Sequence, residues 1–181
     1  MRGYNMKKRF VLALIICLMI AMLTACGGND EKIPGGNDVT PSGPATNGYA
    51  FKTKDGTDIV IDAEFEQFKK ALGQEKGCFE SPSCAFGDLD KIWNYGGFDV
   101  YTYQLDKIDY VSSVILKDDT VCTPEKVYIG DSADDVISAY GDPATQDSKQ
   151  IVYEKDKMKL IFMLSNDTVT QIQYTTRKVE G

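Results

Sequence analysis

Short periodic patterns of apolar residues recur along this chain, and each period predicts an element. Phe10 to Leu23 is almost wholly apolar, and it follows Arg2, Lys7, Lys8 and Arg9 with no acid among them. From Gly27 to Gly48, Ile33 and Val39 are the only large apolar residues, set among glycine, proline and small polar residues. Phe65, Phe68 and Leu72 then fall at i, i+3 and i+7, and so do Ala133, Val136 and Tyr140. That spacing predicts two amphipathic helices, near residues 63–72 and 132–140. Asp62 and Asp131 suit their N-caps, and Gly73 and Gly141 suit the left-handed position after their ends.

The two helical segments belong to a longer internal repeat. Ile61–Gly73 aligns on Ile129–Gly141 without a gap, and Asp109–Leu116 aligns on Asp167–Tyr174. Between these, Trp93–Tyr95 lies over Ile151–Tyr153 and Tyr101–Tyr103 over Leu160–Phe162. The last three pairs are alternating, β-branched and aromatic, which predicts strands. On this alignment Tyr95, Tyr101 and Tyr103 share the core-facing parity of Leu160 and Phe162. The expected fold class is α+β: a tandem repeat of helix plus antiparallel strands. Each copy has a short lead-in strand, a helix and three strands, building a sheet of up to eight strands with helices on one face. The first copy spans 49–119 and the second 120–181.

The first copy carries extra residues between Gly73 and Tyr95, and they include Cys78 and Cys84. In an exported chain that close spacing reads as a small disulfide loop, with two free thiols as the alternative. Cys122 is left over, either as a small buried hydrophobe or as a half-exposed thiol.

The basic start, the apolar run and Leu23-Thr24-Ala25-Cys26 resemble a bacterial lipoprotein signal with its lipobox. The alternatives are a secretory signal or a membrane span with a chance cysteine, but the run is short of the about 20 residues a span needs. The resemblance implies that residues 1–25 are removed and that Cys26 carries lipid. That places the chain at the cell membrane, lipid-anchored on its extracytoplasmic side. Residues 26–48 then form a disordered tether, because so few apolar residues cannot offset the entropy of ordering.

Charge and composition narrow the chemistry. Removing four bases before Cys26 leaves 16 against 27 acids, a net charge of −11. Such a chain is not expected to bind nucleic acid, because it has no excess cation to neutralise phosphates. There is no histidine, which excludes Ser-His-Asp and Cys-His nucleophile systems. Glu64 and Glu66 are two apart on a predicted helix and do not face each other, so a paired-carboxylate hydrolase has little support. The acids at Asp88, Asp90, Asp118, Asp119, Asp131, Asp134 and Asp135 form no calcium-loop pattern and read as turn and helix-start residues. No catalytic residue, metal or cofactor is expected.

The segment Val127-Tyr128-Ile129-Gly130-Asp131-Ser132, followed by Val136 and Tyr140-Gly141-Asp142-Pro143, carries a second resemblance. It is similar to the beta-lactamase inhibitory protein fold, a pattern shared by the small lipoprotein of the outer-membrane barrel-assembly machinery. The first copy departs from it, with Asp62-Ala63-Glu64 in place of Gly-Asp-Ser. The resemblance implies a protein-binding module using a concave sheet, with an envelope-assembly lipoprotein as the alternative; a carboxylate-dependent glycan enzyme is a third and weaker reading, resting on the acids alone. Period-two counting places Asn94, Thr102, Ser113 and Ile115 on the face away from the helices. Val152, Ile161, Met163, Gln171 and Gln173 join them from the second copy. Such a face is either a protein-binding surface or an ordinary solvated sheet face.

Lipidation gives the first test. Mass spectrometry of the membrane fraction should find Cys26 lipidated, and a Cys26→Ser chain should be released or left uncleaved. Unmodified Cys26 in membranes would contradict the lipobox reading.

Overall fold

The computed structural model describes residues 48–83 and 89–176. The expected signal and nearly all of the tether lie outside them. Two short strands, β1 (Phe51–Lys52) and β2 (Asp58–Ile59), pair with each other. A 3-10 turn over Phe65–Phe68 runs into α1 (Lys69–Leu72). Then come β3 (Gly77–Pro82), β4 (Leu89–Asn94), β5 (Phe98–Leu105) and β6 (Ile108–Leu116). The second half has α2 (Ala133–Tyr140), β7 (Thr145–Gln146), β8 (Gln150–Lys155), β9 (Met158–Ser165) and β10 (Thr168–Thr176).

The eight strands β3 to β10 form one antiparallel sheet in the order β3-β4-β5-β6-β10-β9-β8-β7. Each half is a four-stranded meander, and the last strands of the two halves lie side by side. Among the described residues the fold is α+β, with an eight-stranded antiparallel sheet, a separate two-stranded pair and two short helices. One expectation is corrected here: the lead-in segments add no full strand to this sheet. β1 pairs with β2, a bridge joins Cys122 to Tyr128, and the residues just before the helices touch the sheet through single bridges, Glu64 to Tyr110 of β6 and Ser132 to Thr168 of β10. The fourth strand of each half follows the helix instead.

One face of the sheet and both helices share a core. Phe65 and Phe68 from the first helical segment, and Ala133 and Val136 from α2, are buried with Val100, Val114, Leu116, Ile151, Phe162, Ile172 and Tyr174. Phe65 packs on Trp93, with ring centroids 4.9 Å apart. Both helices are short, so propensity contributes little and the apolar stripe holds them in place. The Lys69 ammonium sits 4.9 Å from the centre of the Trp93 ring, which ties α1 to β4 by a cation–π contact.

Helix starts differ from the simple expectation. Ser132, not Asp131, caps α2: its side chain accepts from the Asp135 amide, and the Asp135 carboxylate accepts from the Ser132 amide. That reciprocal pair is a capping box. The Asp135 carboxyl is held below its ordinary value by these bonds, the one from the Ser132 side chain first. Asp131 instead accepts from the Tyr128 amide at 2.7 Å and fixes the turn before the helix. Asp62 does not cap either. It stands at φ 63° beside β6, where its amide donates to the Val111 carbonyl at 2.7 Å.

The helix ends agree with expectation in position. Gly73 has φ 80° and ψ −156°, and Gly141 has φ 78° and ψ −153°. Only glycine occupies that region without strain. Gly73→Ala and Gly141→Ala should each cost about 1–3 kcal/mol in urea unfolding. Gly77→Ala is the control, since nothing lies within 4 Å of its Cβ position, and it should change stability little. Equal effects at all three positions would contradict the backbone account.

Candidate functional site

The strand registers place eight of the nine expected face residues on one side of the sheet. Asn94 pairs with Asp99, Asp99 with Ile115, and Ile115 with Gln173. Gln173 pairs with Ile161, and Ile161 with Val152. This row crosses six strands from β4 to β8, and residues in one cross-strand row share a face. Met163 and Gln171 pair in the next row on the same face, and Ser113 pairs with Thr175 in the row on the opposite flank. The residues alternating with these, such as Leu116, Ile172 and Phe162, are in the core.

Thr102 is the exception. It is 2 % exposed and lies on the helix side, where its hydroxyl accepts from the Trp93 indole at 3.1 Å. The cause is a register error in the expected alignment of the two halves. Val100 pairs with Val114, and Phe162 pairs with Ile172. Since Val114 and Ile172 are equivalent in the alignment, Val100 matches Phe162, and Thr102 matches Leu164. The expected match of Tyr101–Tyr103 to Leu160–Phe162 is three residues out. An odd shift exchanges the two faces of a strand. The same error misplaced Tyr101 and Tyr103, which lie on the face away from the helices, while Tyr95 stacks on Phe98 in the core layer. Two residues join Tyr95 to Phe98 and six join Tyr153 to Leu160, a difference of four; the expected match allows for one of these, and the remaining three exchange the faces.

Exposure along the face is uneven. Ser113, Val152 and Ile161 are 5 %, 6 % and 9 % exposed. Asn94, Ile115, Met163, Gln171 and Gln173 are half-buried. Charge is fixed within the face itself: Asp99 accepts from Asn94 Nδ2 and from Lys117 Nζ, each at 2.8 Å. An accessible band of amide and apolar side chains is left around a paired acid.

Cys78 is a free, exposed thiol, and Cys84 lies outside the described residues. The segment after Cys78 is not a small loop but strand β3, paired residue by residue from Gly77–Asn94 to Pro82–Leu89. The partner position of the expected bond, Cys84, lies outside the described residues, and the segment is described only as far as Ser83. Cys122 is a half-buried free thiol. Burial, then the Glu80 carboxylate, pushes the Cys78 thiol up, away from the thiolate a nucleophile requires.

Lys91 is the most enclosed cation of this region. It donates to Asp109 at 2.9 Å and lies 3.6 Å from Glu80. Desolvation lowers its affinity for protons, and the Asp109 hydrogen bond and charge outweigh it, so the ammonium is held above its ordinary value. It clamps β3, β4 and β6 together, which is a structural task. Among the described residues no group of three or more Cys, Asp or Glu is placed to hold a metal ion, and no helix is long and apolar enough to cross a membrane. No known protein family, curated protein or solved structure matches this chain.

Proposed function

We propose that this chain is a lipoprotein, anchored through Cys26 on the extracytoplasmic side of the cell membrane, whose head is a tandem-repeat protein-binding module. The repeat reading is supported by backbone hydrogen bonds that recur in both halves. The Thr53 amide donates to Thr57 at 2.9 Å, and the Thr123 amide to Val127 at 3.0 Å. In each turn the threonine hydroxyl accepts from the returning amide at 3.1 Å. Asp62 donates to Val111, and Gly130 donates to Val169. β6 skips a residue at Ser112, and β10 skips one at Thr170. Those two positions are equivalent in the alignment.

The observation that carries the binding reading is the cross-sheet row from Asn94 to Val152, with its neighbours Met163 and Gln171. It draws on both halves, mixes amide and apolar side chains, and keeps its one acid paired. Mixed surfaces of this kind suit protein contacts. A large polar–apolar sheet face also matches what the inhibitor-like resemblance implies. The partner is a protein of the cell surface or envelope.

Charge introduced at the centre of the row tests this. Gln173→Arg and Gln171→Arg should each reduce in-cell crosslinking to the partner at least tenfold, because an unpaired charge buried in an interface costs several kcal/mol. Lys70→Glu, on the exposed side of α1, should leave capture unchanged. Lys69 is not a suitable control because it contacts Trp93. Loss of capture with Lys70→Glu but not with the glutamine variants would place the contact elsewhere. No captured protein at all would remove the binding reading.

A further inference from the structure

We propose that a cleft between the two lead-in turns binds a single-chain amphiphile with an anionic head. The cleft encloses about 580 Å³, within the range of small-molecule sites. Phe51, Leu72, Phe98 and Val121 form apolar walls. Lys52, Lys54 and Lys126 line it as well, and no acidic residue does, in a chain where acids outnumber bases 27 to 20. Lys52 is paired with Asp58. Lys54 and Lys126 have no ion pair among the described residues. Apolar walls together with lysines that make no ion pair among the described residues suit a hydrocarbon body with a negative end.

The flanking turns are equivalent, which explains why the cleft sits where it does. Thr53–Thr57 and Thr123–Val127 share the hydrogen bonds described above, and both contribute to the lining. Gly56 at φ 90° and Lys126 at φ 70° occupy matching positions. Glycine adopts that backbone freely and lysine does not. The second copy therefore keeps a cation at this rim against a conformational cost. Cys122 also lines the cleft and is half-buried, so an occupant would cover its thiol. Cys78 lies on β3, is not part of the lining, and serves as an internal reference.

The test uses the full chain, with dodecanoate and dodecyl phosphate as probes below their micelle-forming concentrations. Alkylation of Cys122 by iodoacetamide is followed by peptide mass mapping. At least one of the two anions should slow Cys122 alkylation tenfold or more in a saturable manner while the Cys78 rate is unchanged. Protection by dodecanoate alone identifies a carboxylate head, and by dodecyl phosphate alone a phosphate headgroup; either supports the site. Dodecyltrimethylammonium should not protect. The double variant Lys54→Glu, Lys126→Glu should raise the half-saturating concentration at least tenfold with an unchanged circular dichroism spectrum, since both side chains are exposed. Absence of protection by either anion, equal protection by the cation, or unchanged saturation in the double variant would each overturn the proposal.

Discussion

The contact between β6 and β10 is the constraint on which the rest of the structure depends. Leu116 pairs with Ile172 and Val114 with Tyr174, and all four side chains are at most 1 % exposed. Each half alone would be a chain of roughly 60–70 residues, a size at which one core rarely supplies more than about 3–5 kcal/mol. Joined at this seam, the two meanders share one layer of apolar side chains beneath both helices. The seam also makes the opposite face continuous, because Ile115 and Gln173 are the middle of the row that crosses it. Without that pairing there is neither a common core nor a common face.

Turn and cap chemistry then sets the details. The Thr53 and Thr123 hydroxyls close turns with the same hydrogen bonds, and Gly73 and Gly141 end the helices in nearly identical backbone geometry. The skipped residues at Ser112 and Thr170 bend β6 and β10 at matching points, as bulges do. Where the halves differ, the difference has a local cause. The first half spends its extra residues on a longer outer strand, β3, and the second half spends four extra residues on the β8–β9 turn.

Much of this was legible in the sequence. The i, i+3, i+7 stripes located both helices, and the match of Asp109–Leu116 to Asp167–Tyr174 located the seam strands in correct register. The β5–β9 match failed because the β8–β9 turn is four residues longer than the β4–β5 turn and the expected match allowed for one of the four; the remaining error of three is odd, and strand faces have a period of two. Thr102 was therefore assigned to the wrong side. Close cysteine spacing suggested a turn after Cys78, and the chain from Cys78 to Pro82 is instead a strand held extended by β4, with Cys84 outside the described residues. The Ser132 cap was readable from Ser132 and Asp135, but the acid beside it drew the assignment one residue early. The cleft had no sequence signal, since its lining comes from segments far apart in the chain.

The central claim is that the two halves are one cooperative unit joined at β6 and β10. Native-state hydrogen exchange tests it most directly. The amides of Val114, Leu116, Ile172 and Tyr174 should exchange only through global opening, with the same free energy as core amides of β5 and β9. A lower opening energy at the seam than in either meander, or two meanders opening with distinct energies, would contradict the account.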